Sequence, residues 1–412
     1  MFLYGLPEKR ATRASGAILS MLTVPADVSA SNVRRVGHID VAGGGQIYVD
    51  GTTAYVGHMS PPHGTSIIDV SDPSSPVVLA EIEAGPGSHT HKVRTVGNLM
   101  LTNRENADKR SGLPYSEGGL TVWDVSNPTR PEQLSFFPVE GNGVHRFDFD
   151  GRYAYLSASM AGYQNNIVLI LDLQDPRRPK EVSRWWMPGQ WIEGGENPNW
   201  GSRGVGCHHP LRFHDRLYVG YMHGGAVILD VADLSAPHLV GHYDYHPAFA
   251  SISHTFARMP FKLGGREIAV VVDEQPSKPR PGHVPAFMWI FDVTDETSPI
   301  PISTYAMSAE ETPWRDPGPE CPARFGAHQC HERMTSSLAY VAWFRGGLRI
   351  VDLADPTTPQ TVGHYIPSPG RGQPTVMSND VFVDERGYIY LLDRLRGLEI
   401  LQYTGAPGAS PP

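Results

Sequence analysis

Apolar and polar residues alternate along most of this chain in short runs, each ended by a polar turn, which is the period of strands and not of helices. The stretch "SIIDVSDPSSP" at 66–76 shows the unit: alternating apolar positions, then Asp-Pro, where proline ends a hydrogen-bonded ladder and the acidic side chain closes the turn. The phrase returns as "LTVWDVSNPTRP" at 120–131, "LILDLQDPRRP" at 169–179, "VILDVADLSAP" at 227–237, "WIFDVTDETSP" at 289–299 and "LRIVDLADPTTP" at 348–359. Its first aspartates, Asp69, Asp124, Asp172, Asp230, Asp292 and Asp352, lie 48 to 62 residues apart. That is the period of a four-stranded propeller blade with loop insertions. Two strand-like runs precede each phrase, as in "RFDFDGRYAYLSAS" at 146–159 with Asp150-Gly151 as a hairpin turn, and a fourth follows, as in "HLVGHYDY" at 238–245. A last unit at 380–403 has three strands, and "VRRVGHID" at 33–40 matches the missing fourth. The pattern predicts an all-β, seven-bladed β-propeller over 33–403, closed by pairing the N-terminal strand with the C-terminal blade so that no sheet edge is left open. Residues 1–32 are expected to be a flexible extension and 404–412 a disordered tail.

These repeated phrases resemble those of the LVIVD-repeat proteins, a bacterial family of predicted β-propellers. The resemblance covers essentially residues 33–403. It implies the architecture and assigns no activity, because propellers serve enzymes and scaffolds alike.

Composition agrees with short strands and many turns: of 412 residues 43 are Gly and 37 Pro, and 19% are charged. A net charge of -9 leaves no basic face to displace the counterions of a nucleic acid, so that partner is not expected. Three scattered cysteines, Cys207, Cys321 and Cys330, suit a reducing, cytoplasmic compartment better than a disulfide framework. The alternative is periplasmic, since "EKRATRASGAILSMLTVPADVSA" at 8–30 has the basic, weakly apolar and small residues of an export signal. No other segment approaches the run of about 20 apolar residues that crosses a bilayer, so no membrane partner is expected. The sequence does not set the oligomeric state.

Histidines change the picture. "GSHTHKV", "GNGVHRF", "GVGCHHP", "SISHTF" and "FGAHQCHERM" all fall at the start of an innermost strand, where blades crowd around one mouth of the central channel. Aligning the blades on their first hairpin brings His91, His145, His209, His254 and His331 together as metal ligands, although they are 45 to 77 residues apart in the chain. His89, His208 and His328 lie one to three residues earlier and are expected as outer donors or as substitutes for a misaligned ligand. The first and last blades have Gly45-Gln46 and Asn379 there. Cys207 and Cys330 adjoin ligand candidates but should point away by alternation. An all-imidazole set suits iron first, with manganese, copper or zinc as alternatives.

Loops leaving the second strands border the same mouth. They offer His223, Glu105 and Glu274 for proton movement, and Arg104, Arg345, Arg394, His58 and Trp191 for binding a small, anionic or aromatic substrate. The leading expectation is a metal-dependent oxidoreductase, an oxygenase or oxidase; multi-histidine iron sites on propellers resemble those of carotenoid-cleaving oxygenases, though none of that family's sequence is visible. Two alternatives remain: a lyase or hydrolase using zinc or manganese as Lewis acid, and a non-catalytic protein-interaction propeller. No serine-nucleophile elbow, P-loop or dinucleotide fingerprint is present.

Overall fold

The computed structural model describes residues 27–106, 117–276, 283–314 and 324–408. The basic stretch up to Ala26, Cys321, residues 409–412 and parts of the expected mouth loops lie outside them. The chain folds as up-and-down antiparallel meanders of four strands. Gly44–Asp50, Thr53–His58, His63–Asp69 and Val77–Glu83 form one, in sheet order equal to chain order. Equivalent meanders follow at 88–139, 144–185, 205–243, 252–305, 327–367 and 378–403. In the first of these the inner strand is split into Ser88–His89 and Val93–Val96. The last gains its outer strand from the N-terminus, with Val33 opposite Tyr403 and Ile39 opposite Leu398.

The repeated aspartates do what their sequence implies. The carboxylate of Asp69 accepts the backbone N–H two residues on at 2.8 Å, and Asp124, Asp172, Asp230, Asp292 and Asp352 repeat this at 2.8 or 2.9 Å. Each third strand is therefore stopped at the same point. Apolar faces of neighbouring meanders interlock, as where Tyr155, Val168 and Ile170 meet Leu217, Val219 and Val227, all fully buried.

Part of the stretch expected as a flexible extension is ordered. Asp27–Ser31 pairs with Gln360–Pro367 as a fifth strand. Asn32, at φ 53°, then turns the chain onto the neighbouring meander, a backbone conformation asparagine tolerates, and its Nδ2 donates to the Val362 carbonyl at 2.8 Å. Among the described residues no helix is long and apolar enough to cross a membrane.

A recurrent irregularity positions the site. The innermost strands carry register shifts near their start, between Val144 and Phe147, Val205 and His209, Ser253 and Thr255, Ala327 and Gln329, and Ser378 and Asp380. Such bulges break the strict in-out alternation of a strand and re-aim side chains.

Candidate metal centre

Consecutive inner strands bring a chain of imidazoles around the axis. Ring centroids are 4.1 Å apart for His89–His91, 5.0 Å for His91–His145, 4.6 Å for His145–His208, 4.1 Å for His208–His254 and 4.4 Å for His254–His328. His209 and His331, expected as ligands, are not in this chain; His208 and His328 stand in their places. His209 is turned into the layer beyond, its Nδ1 accepting from Arg146 Nη1 at 3.0 Å. His331 accepts the Val383 N–H at 3.3 Å and packs edge-on against Phe382. The alignment assumed regular alternation, and the bulges shift it.

Hydrogen bonds set the tautomers. His145 Nδ1 donates to Glu105 at 2.7 Å, and His208 Nδ1 to the His254 carbonyl at 2.9 Å. His254 Nδ1 donates to Thr255 Oγ1 at 2.8 Å, whose own hydrogen goes to Gln329 Oε1 at 2.6 Å. His328 Nδ1 donates to the Asn379 carbonyl. A neutral ring that donates at Nδ1 carries its lone pair on Nε2, the arrangement in which an outer acceptor orients a ligating imidazole. Burial holds His208, His254 and His328 well below the usual imidazole range, reinforced by neighbouring cations such as Arg146. His91 differs. Asn103 Nδ2 donates to its Nδ1 at 3.1 Å, so the hydrogen of a neutral His91 sits on Nε2, 3.8 Å from Glu105, and it presents no lone pair there.

Two carboxylates flank the imidazoles. Burial would raise Glu105, yet His145 and His89 draw it down to about 2, and it accepts from His145 and from His89 Nε2 at 3.0 Å. Glu274 lies 4.0 Å from His254 Nε2 and 3.9 Å from His328 Nε2, held by Arg324 Nη1 at 2.7 Å. Among the described residues two sets could each hold a metal ion by proximity: His89, His91 and Glu105, and His208, His254 and Glu274, with ligand atoms within 4.8 Å of one another. The tautomers favour the second.

Of the expected substrate contacts, Arg394 lies at the site, its Nε on Asn379 Oδ1 at 2.6 Å and its guanidinium over Phe344, which stacks on His328. The others are engaged elsewhere. Arg104 lies over Phe136, Arg345 donates to the Trp314 carbonyl, and His58 spends both nitrogens on the Ala42 carbonyl and Ser66 Oγ. His223 meets Gly204, Ala250 and His246 instead of the imidazole chain, and Trp191 stacks on Tyr163 at an exposed loop. Sequence reasoning passed over Arg324 and Phe344, which only the fold brings to the site, and Lys92 and Arg146, each directly after a histidine it had singled out.

This architecture defines the chain as a β-propeller with histidines gathered at the starts of its inner strands. Solved propellers of very different sequence share the fold: the Cps50 (Swd1) β-propeller domain of Myceliophteria thermophila (11% identity, TM-score 0.54, 90% of this chain and 99% of that one) and Sqt1 of Saccharomyces cerevisiae (8%, 0.52, 89% and 86%). A chain in the structure of S. cerevisiae Dbp5 bound to Nup159 is also similar (10%, 0.50, 92% and 96%). The chain carries LVIVD repeats, matched by the family model at residues 45–82, 115–135, 215–245 and 337–366. No curated protein matches it.

Proposed function

We propose that this propeller binds a divalent transition metal through Nε2 of His208 and His254 together with Glu274, whose ligand atoms lie within 4.8 Å of one another, with Nε2 of His145 and His328 alongside. One observation carries the reading: His145 Nε2 and His208 Nε2 are 2.9 Å apart, although each ring has committed its hydrogen at Nδ1. Two lone pairs that close repel unless a cation serves both. A shared proton would serve that pair alone; a metal would also engage His254 and Glu274, whose ligand atoms lie within 4.8 Å of that of His208. Bonds of about 2.1 Å at right angles put neighbouring nitrogens about 3 Å apart, so the spacing fits. The ring this requires is, in our reading, seven-bladed and closed, supported by the pairing of Val33–Ile39 with Gly397–Tyr403.

A shell rich in imidazole suits iron or copper, which favours an oxidoreductase acting on a small organic acid or aromatic compound. With zinc or manganese the same shell favours a lyase or hydrolase, Glu274 moving the proton. The competing reading is a non-catalytic interaction propeller with a structural metal or none. What supports it is the company the fold keeps, including the chain from the Dbp5–Nup159 structure.

Elemental analysis of untagged protein, beside the His208→Ala/His254→Ala double variant, tests the proposal. Stoichiometric metal lost in the variant supports it; iron or copper directs the search to oxygen consumption, and zinc to hydrolysis or elimination. No metal after reconstitution overturns it and leaves the interaction propeller.

A further inference from the structure

Glu105 stands at the opposite end of the imidazole chain from Glu274, and the backbone puts it there. The strand Leu99–Asn106 runs past its main ladder, so that Glu105 pairs directly with His89 on one side and bridges Gly143, two residues before His145, on the other. Direct cross-strand partners carry their side chains on one face of a sheet. Two imidazoles therefore converge on one oxygen: His145 Nδ1 lies 2.7 Å and His89 Nε2 3.0 Å from Glu105 Oε2. All three side chains reach solvent, His89 to 12%, Glu105 to 16% and His145 to 24%, so an ion can enter.

His89 has more acceptors than a neutral ring can serve. Its Nδ1 is 3.1 Å from the Met59 carbonyl and its Nε2 faces Glu105, so one hydrogen is asked for twice. An imidazolium answers this in metal-free protein. A metal ion answers it as well, taking lone pairs from His89 Nε2, His145 Nδ1 and Glu105 and leaving the His89 hydrogen on Nδ1 for Met59, the outer acceptor that orients a ligating ring. Separations of 2.7 and 3.0 Å are those of neighbouring donors on one ion with bonds of about 2.1 Å. His91 is not among these ligands. Asn103 fixes its hydrogen on Nε2, and the amide cannot turn round, because Asn103 Nδ2 also donates to the Val144 carbonyl and Oδ1 accepts the Lys92 N–H, each at 2.8 Å.

We propose a second divalent metal site on His89 Nε2, Glu105 and His145 Nδ1, with His145 as an imidazolate bridge to the ion at His208 and His254. The bridge rests on that first ion; the second site itself does not. Each nitrogen of His145 faces one set, Nδ1 towards Glu105 and Nε2 at 2.9 Å from His208 Nε2. Binding releases the Nδ1 hydrogen of His145, and any proton on His89 Nε2, to solvent, and His145 becomes an anionic ligand shared by two ions. The width of an imidazole ring holds such ions about 6 Å apart, beyond the about 3.5–4 Å of metal pairs that clamp one reacting group. The second ion therefore does not share a nucleophile with the first; it sets the charge on His145, and through it the charge at the first ion.

Copper(II) serves as the probe, titrated into metal-free, untagged full chain; ions per chain are counted by elemental analysis after gel filtration, and the same samples are read by electron paramagnetic resonance. Wild type should take two ions and, because an imidazolate couples two coppers, give a low-temperature signal well under that of two isolated ions. His89→Ala should fall to one ion with an ordinary single-copper signal, and so should His208→Ala/His254→Ala. Glu105→Gln, which keeps the shape of the side chain, should lose the same ion as His89→Ala, and retention of the first ion in both shows that the fold persists. One ion in wild type that His89→Ala and Glu105→Gln leave in place overturns the second site and leaves the first reading standing. One ion that His89→Ala removes and His208→Ala/His254→Ala keeps overturns the first reading and leaves this site. Two ions with an uncoupled signal overturn the bridge through His145, and no copper in wild type overturns both sites.

Discussion

Thr255→Val tests whether His254 is a ligand while leaving the ring untouched. The hydroxyl is fully buried, accepts from His254 Nδ1 at 2.8 Å and donates to Gln329 Oε1 at 2.6 Å. Valine replaces it with a methyl group of similar volume, so packing persists and two buried polar atoms lose their partner. Each unsatisfied atom costs about 1–3 kcal/mol, so metal-free protein should lose about 2–4 kcal/mol of stability, allowing for relaxation. In the metal-free variant His254 can move its hydrogen to Nε2, which removes the inward lone pair. A metal must reverse that shift, and losing the outer partner of a ligating histidine weakens metal binding by about 10- to 100-fold. Competition against a chelator of known affinity measures the constant, and thermal unfolding of metal-free protein measures the stability cost separately. A destabilised variant that binds metal as tightly as wild type would refute the assignment of His254.

Three further outcomes follow from the geometry. At Gly220 a Cβ would lie 2.5 Å from the His254 carbonyl oxygen, the acceptor that orients His208, so Gly220→Ala should cost about 1–3 kcal/mol by overpacking and weaken metal binding; chelator competition showing unchanged affinity would count against this contact. His38, on the strand Val33–Ile39, forms an ion pair with Glu399 of the paired strand at 3.1 Å; burial opposes its charge, but Glu399 and Asp40 lift its pKa above 6.5, so its contribution is complete below about pH 6.5 and lost as pH rises through the raised value. Denaturation of wild type and His38→Gln from pH 5.5 to 8.5 should show a gap of about 1 kcal/mol or less that narrows upward, and a gap constant with pH would contradict it. Cys207 and Cys330 are fully buried, and burial pushes both thiols up, so iodoacetamide at pH 8 should label neither before unfolding; labelling of either in native protein would show that the inner strands open.

Strand order and turn positions were legible because they are local. Asp69 and its five counterparts cap their turns within two residues, so each phrase carries its own instruction. The pairing of Val33–Ile39 with the last meander was legible for a related reason: "VRRVGHID" repeats the outer-strand pattern and so declares its place in a meander. Asp27–Ser31 carries no such pattern, and its pairing with Gln360–Pro367 depends on an open edge that exists only once the sheet has formed. The histidines were visible as a group, but choosing between His208 and His209, or between His328 and His331, needed knowledge of which residue a bulge absorbs.

By itself, then, the sequence determined the repeating strand and turn pattern and the gathering of histidines at the starts of the inner strands, because alternation and turn chemistry act over a few residues. Tertiary structure decided which imidazoles face one another and where each carries its hydrogen. His145 is oriented by Glu105, 40 residues away, His208 by the carbonyl of His254, 46 away, and His328 by that of Asn379, 51 away. Those partners belong to neighbouring meanders, and no period along the chain encodes a contact made only when the meanders pack side by side.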